Sequence, residues 1–109
     1  MGIAVFIKYT GTNGNAQKFA QEMTKSGTVE KIRAEKGNLC YEYFTPFEDN
    51  KSVLLLDKWE NQEAIDAHHA SPMMQTISKL REKYDLHMSV ERFISDSDLP
   101  ERDKEFIRK

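Results

Sequence analysis

Four apolar residues in a row, Val53-Leu54-Leu55-Leu56, lie inside a segment that ends at Trp59, and this run constrains the fold more than any other feature. In a β-strand successive side chains point to opposite faces. Val53, Leu55 and Trp59 therefore load one face, and Leu54 and Leu56 the other. The opening segment repeats the pattern, with Ile3, Val5 and Ile7 on one face and Ala4 and Phe6 on the other. An antiparallel sheet with one wet face alternates apolar and polar residues. These strands do not, so their sheet needs cover on both sides. A chain of 109 residues is one domain. It buries roughly 65% of its unfolded surface, enough for a single core.

Ile3 to Thr10 reads as the first strand and stops at the turn cluster Gly11-Thr12-Asn13-Gly14. From Asn15 the period becomes helical, through Ala16, Phe19, Ala20 and Met23. Ser26-Gly27-Thr28 breaks the phase before Val29 and Ile32 resume it, giving either one helix kinked at Gly27 or two short ones. Gly37, following Arg33 and Lys36, is a ready left-handed cap. Leu39 to Phe47 is the second strand, with Pro46 restricting its end to an edge or bulge. Glu48 to Lys51 is a hairpin loop, and Ser52 to Trp59 the third strand. Asn61 caps a helix running through Ala64, Ile65 and His68, and Ser71-Pro72 restarts it with Ser71 as N-cap. Met73, Ile77, Leu80 and Tyr84 then form one stripe, and Leu86 to Ile94 is the fourth strand. The order β-α-β-β-α-β over residues 1–95 predicts an α+β, ferredoxin-like domain with a four-stranded antiparallel sheet. Residues 96–109 form a charged tail, with room for a short helix after Asp98-Leu99-Pro100.

The helices of such a fold shield one face of the sheet. A second apolar face across four strands exceeds the patch a soluble monomer normally exposes. The expected cover is a second copy packed sheet to sheet, a symmetric homodimer. The competing cover, the tail folded back, offers only Leu99, Phe106 and Ile107 as large apolar residues.

Sixteen Lys+Arg stand against 18 Asp+Glu, a formal charge of −2, without the basic surplus of a nucleic-acid partner. The longest apolar run is far too short to cross a membrane, and the opening residues show no cationic or cleavage pattern of a signal peptide. A cytoplasmic protein is expected. The lone Cys40 allows neither an intramolecular disulfide nor a multi-cysteine metal site.

His68 is the most informative titratable residue. It follows Ala64 by four and Ile65 by three positions, and so shares their inward face, while His69 is rotated to an edge. Adjacent helical histidines do not converge on one metal, and neither His-x3-His nor His-Glu-x-x-His is present, so no metal is expected. His68 is either a core histidine satisfied by hydrogen bonds or the general base of a reaction. Trp59, just before that helix, is either a core aromatic or a platform for a ring-shaped ligand. Tyr41 and Tyr43 share a strand face as pocket wall or packing, and Met73 is a soft lining within the core stripe. The carboxylates Glu42, Asp57 and Glu60 receive no assignment from spacing, and Lys79, Arg81, Glu82 and Lys83 read as a solvated helix face. No phosphate-cradling loop or dinucleotide fingerprint is present.

Two stretches carry a family resemblance. Lys36-Gly37-Asn38-Leu39-Cys40-Tyr41-Glu42 resembles the entry to the second strand of antibiotic biosynthesis monooxygenase (ABM) domains. Leu56-Asp57-Lys58-Trp59-Glu60-Asn61, with Ala64, His68 and Ser71-Pro72-Met73-Met74, resembles their central signature. Within the family the cytoplasmic bacterial quinol monooxygenases look most similar. The resemblance implies a dimeric α+β barrel and oxidation of a small quinol or hydroxylated polycyclic aromatic with O₂ as co-substrate and no cofactor. It implies His68 as the catalytic base and Trp59, Tyr41 and Met73 as substrate-binding residues. The haem-degrading branch of the superfamily fits poorly, because the first strand has no Asn and residues 73–84 contain no His. Two other functions suit the same architecture: a non-catalytic, stress-associated dimer binding a small hydrophobic ligand, and a cofactor-free isomerase.

Overall fold

A computed structural model describes residues 2–109. Its elements run β1 (Ile3–Thr10), α1 (Asn15–Lys25), α2 (Thr28–Arg33), β2 (Asn38–Phe44), β3 (Ser52–Trp59), α3 (Gln62–His69), α4 (Met73–Lys83), β4 (His87–Ile94) and α5 (Glu101–Lys104). The four strands form one antiparallel sheet in the order β2-β3-β1-β4. This is the ferredoxin-like α+β fold expected.

Gly27, at φ 82°, separates α1 from α2, so two short helices occur rather than one kinked helix. The second strand ends at Phe44, short of the expected Phe47. Pro46 has no N–H to continue the ladder. The turn instead closes on Asp49, which accepts from the Lys51 backbone N–H at 2.9 Å and the Ser52 hydroxyl at 2.8 Å. Asn61 caps α3 by accepting from the Ala64 N–H at 2.9 Å. Ser71 does not cap α4 as expected; its hydroxyl donates to the His68 carbonyl at 2.7 Å and ties the end of α3 to the start of α4.

The core lies between the helices and the inward face of the sheet. Phe19, Met23, Val29, Ile32, Ile65 and Ile77 pack from the helices onto Ile7, Tyr9, Tyr41, Val53, Leu55 and Trp59. On the other face Phe6 and Phe93 stack edge to face with centroids 5.6 Å apart. Both are exposed, as are Leu39 and Phe44. The tail does not fold over this face: Leu99, Phe106 and Ile107 are themselves exposed. Every residue of β4 is exposed, so the helical layer stops short of that strand and leaves its inward face open. No helix among the described residues is long and apolar enough to cross a membrane.

Candidate active site

Sheet register places Tyr41, Asp57, Val5 and Arg92 in one row across β2, β3, β1 and β4. Trp59 and Ile3 lie in the row on one side of it, Leu55, Ile7 and Val90 in the row on the other. Where α1 and α2 sit over β3 and β2 the interface closes by packing. Over β1 and β4 it remains open, leaving a cavity of about 260 Å³. Its walls are Val5, Ile7, Ile65, Met74, Met88 and Val90, with polar groups from Asp57, Gln62, His69, Arg81 and Arg92.

Asp57 is the unusual group in this wall. Its residue is 8% exposed, and burial pushes its carboxyl from the ordinary range up to about 6. Two interactions oppose that rise. The Trp59 indole N–H donates to its Oδ1 at 2.5 Å, and the field of His68 favours the ionised form; Glu35 acts in the opposite sense. No ion pair engages Asp57 among the described residues. The result is an oriented carboxylate, titrating near neutrality, beside an apolar space. Those are the attributes of a general base or a proton shuttle.

Behind it stands an aromatic cluster. Trp59 and His68 stack with centroids 4.8 Å apart and 29° between planes, and Tyr41 meets the His68 ring edge-on at 6.4 Å. His68 Nδ1 lies 2.8 Å from Glu35 Oε1. A carboxylate only accepts, so this contact fixes the proton on Nδ1 and the ring plane with it. Three of the residues predicted as site residues, Trp59, His68 and Tyr41, are thus brought together. They form the packed backing of the cavity rather than its lining, being 0%, 3% and 3% exposed. Met73 packs half-buried against the core, one residue from the cavity-lining Met74. The physical reason is register. Trp59 and His68 face each other where sheet and helix are in full contact, whereas Asp57, one row along, borders the opening.

Arg81 was expected on a solvated face and is not there. It follows Ile77 by four positions, so it borders the buried stripe. Its Nη2 donates to the Tyr9 hydroxyl at 3.1 Å, and its guanidinium carbon sits 5.6 Å from the centroid of that ring. Burial raises the Tyr9 phenol and pushes that of Tyr41 well above the tyrosine range, so both stay protonated and neither serves as a base at neutral pH. Arg92, on the open strand, donates to Gln62 Oε1 at 2.6 Å. Among the described residues no three His, Cys, Asp or Glu side chains converge as a metal-binding group.

The sequence profile of the antibiotic biosynthesis monooxygenase family matches residues 2–80, which include all of the fold except α4's end, β4 and the tail. The chain belongs to the antibiotic biosynthesis monooxygenase family. No curated protein sequence matches it. Among solved structures, the chain is similar to SnoaB of Streptomyces nogalater, a cofactor-independent oxygenase, at 12% identity and TM-score 0.73, covering 92% of this chain and 98% of that one. It is also similar to a conserved protein of Methanosarcina mazei at 21% identity and TM-score 0.75, over 88% and 94% of the two chains. A Pseudomonas aeruginosa protein, PA3566, gives 18% identity and TM-score 0.75 over 88% and 95%. At these identities the likenesses establish the fold that this monooxygenase-family chain shares with them, and its chemistry rests on its own residues.

Besides Arg81, the cavity holds Asp57, which spacing left without a role, and Arg92, which the sequence did not single out. Asp57 is a carboxylate on the inward face of a strand otherwise carrying Val53, Leu55 and Trp59. Arg92 became visible as a wall residue only once the pairing of β4 with β1 set its row.

Proposed function

We propose that this chain is a cofactor-independent monooxygenase that oxidises a small quinol or hydroxylated polycyclic aromatic with O₂, working as a cytoplasmic homodimer. The observation that carries the reading is Asp57, a buried carboxyl raised to about 6 at the wall of an apolar cavity. A phenol is a poor electron donor to O₂, and its phenolate a good one. Asp57, itself 8% exposed, takes the phenolic proton, work typically worth about 10² to 10⁴ in rate. The phenolate passes one electron to O₂, and the radical pair combines to form a carbon–oxygen bond. Asp57 returns its proton to the peroxide anion so formed, and the hydroperoxide loses water as its O–O bond and the C–H bond on the same carbon break, leaving a new carbonyl. One oxygen enters the product and the other leaves as water, with all four electrons supplied by the quinol.

In this mechanism His68 and Trp59 are positioning residues. Glu35 orients the imidazole, the imidazole packs on the indole, and the indole N–H holds the Asp57 carboxylate. Tyr41 closes the cluster, and Met73 supports the cavity wall from the core side. The dimer follows from the exposed outer face, where Phe6, Phe44 and Phe93 need cover that the tail does not provide. The lone Cys40, without a disulfide partner, suits a reducing compartment.

The test is single-product oxidation under ¹⁸O₂ by chelator-treated protein, with a naphthohydroquinone as substrate. One labelled atom per quinone and stoichiometric oxygen loss support the reading. Turnover without oxygen consumption makes the protein an isomerase, and binding without turnover a ligand carrier; either result ends the monooxygenase reading.

A further inference from the structure

We infer that the cavity is built for an anionic aromatic, a two-ring hydroxylated compound bearing a carboxylate, which binds with its hydroxyl at Asp57 and its acid group at Arg92. The inference rests on the proposed function for the site's chemistry and adds the class of its substrate.

Size comes first. A cavity of roughly 150 Å³ accepts a single benzene ring. About 260 Å³ therefore has room for two fused rings. The charge is unbalanced. Arg81 and Arg92 both line the wall, and Asp57 is its sole carboxylate. Among the described residues neither guanidinium has a carboxylate partner, although elsewhere on the chain Arg33 pairs with Glu30 and Lys83 with Glu22. The Arg81 Nε–H is buried without an acceptor, since the only bond of that group runs from Nη2 to Tyr9. Among the described residues the side-chain partner of Arg92 is neutral Gln62.

Geometry explains why Asp57 does not neutralise them. Asp57 and Arg92 occupy the same row with β1 between them, which separates their backbones by about 10 Å. A ligand lying across Val5 reaches both ends. A hydroxyl on one ring then meets the carboxylate base, and an acid group on the far ring meets the guanidinium, which binds carboxylates in a two-pronged geometry. The positive field of Arg81 favours the same anion. This surface is on the helix side of the sheet, away from the outer face proposed for dimerisation, so a second copy leaves it free.

The experiment is calorimetric titration of the intact protein at pH 7.5 and low salt with 6-hydroxy-2-naphthoate and, separately, 2-naphthol. The acid is expected to bind about tenfold more tightly than the naphthol, with the advantage shrinking as salt rises. Arg92→Gln, on an exposed edge strand, is expected to cut that advantage to under about threefold, and Arg81→Gln to reduce it independently. Equal or weaker binding of the acid, or an advantage that survives Arg92→Gln, overturns the inference. The titration requires no turnover. If the acid preference holds while quinols consume no oxygen, only the monooxygenase reading falls. If neutral quinols are oxidised while the acid gains nothing, only the inference about the substrate falls.

Discussion

Asp57 is held in a state that costs stability. Its folded value of about 6 lies above the ordinary 3.8, so the native chain binds the proton more tightly than the unfolded chain does. Stability from this group is full below about pH 4 and declines as pH rises through about 6, with a total near 3 kcal/mol. The sign is opposite to that of a salt-bridged carboxylate. Asp49 and Glu22, both lowered from 3.8 and 4.5, contribute in the opposite sense at the acid end of this range, and comparing wild type with a variant at each pH cancels them. Asp57→Asn mimics the protonated form and keeps an oxygen for the Trp59 N–H. It is expected to be more stable than wild type by about 1–3 kcal/mol at pH 8, with the difference vanishing near pH 4, as read by denaturant unfolding at each pH. His68→Ala removes a field that lowers Asp57 and frees the indole face. The midpoint of the pH–rate profile should therefore move above about 6, while the rate falls by about tenfold, less than for loss of the base itself. A merely structural role for His68 would lower activity without moving the midpoint. The inward placement of Trp59 and His68 was legible in the sequence, since strand and helix periodicity state which way each side chain points. Periodicity says nothing about which inward positions close by packing and which border a void, so it did not separate His68, in the packed backing, from Asp57, at the cavity wall.

At the level of elements, one close approach locks α3 against the start of β2. Gly37 has φ 86°, and a Cβ there would meet the Ala64 Cβ at 2.6 Å. Its carbonyl also accepts the Glu60 N–H at 2.8 Å, just ahead of α3. The same turn carries Glu35, the partner of His68. Gly37→Ala should cost about 2 kcal/mol in a denaturant titration through combined backbone strain and overlap. Element order, the extent of β3 and the buried stripe of α4 were all legible, because each rests on an uninterrupted hydrophobic period. The early end of β2 and the uncapped start of α4 were not. The first depends on how the Asp49 turn forms, and the second on Ser71 preferring the carbonyl of His68. Both are competitions between local hydrogen bonds that a residue pattern does not rank.

Across the whole molecule, the sheet has two apolar faces and helices on one. Phe93 on the edge strand β4 and Phe6 on its neighbour β1 form a single edge-to-face unit on the uncovered face. Phe93→Glu should shift the sedimentation profile from a dimer to a monomer at micromolar concentration; a wild-type protein that sediments as a monomer removes the need for a partner. The cavity lies on the other side of the sheet and tests the chemistry independently. The decisive measurement is the pH dependence of enzyme-catalysed O₂ consumption with a naphthohydroquinone, for wild type and Asp57→Asn. Wild-type kcat/KM should rise with pH through a midpoint of about 6 and then level, matching the raised carboxyl, and Asp57→Asn should be slower by about 10² to 10⁴ at the plateau. A variant that keeps the wild-type rate, or a wild-type profile flat across that midpoint, would contradict the role assigned to Asp57.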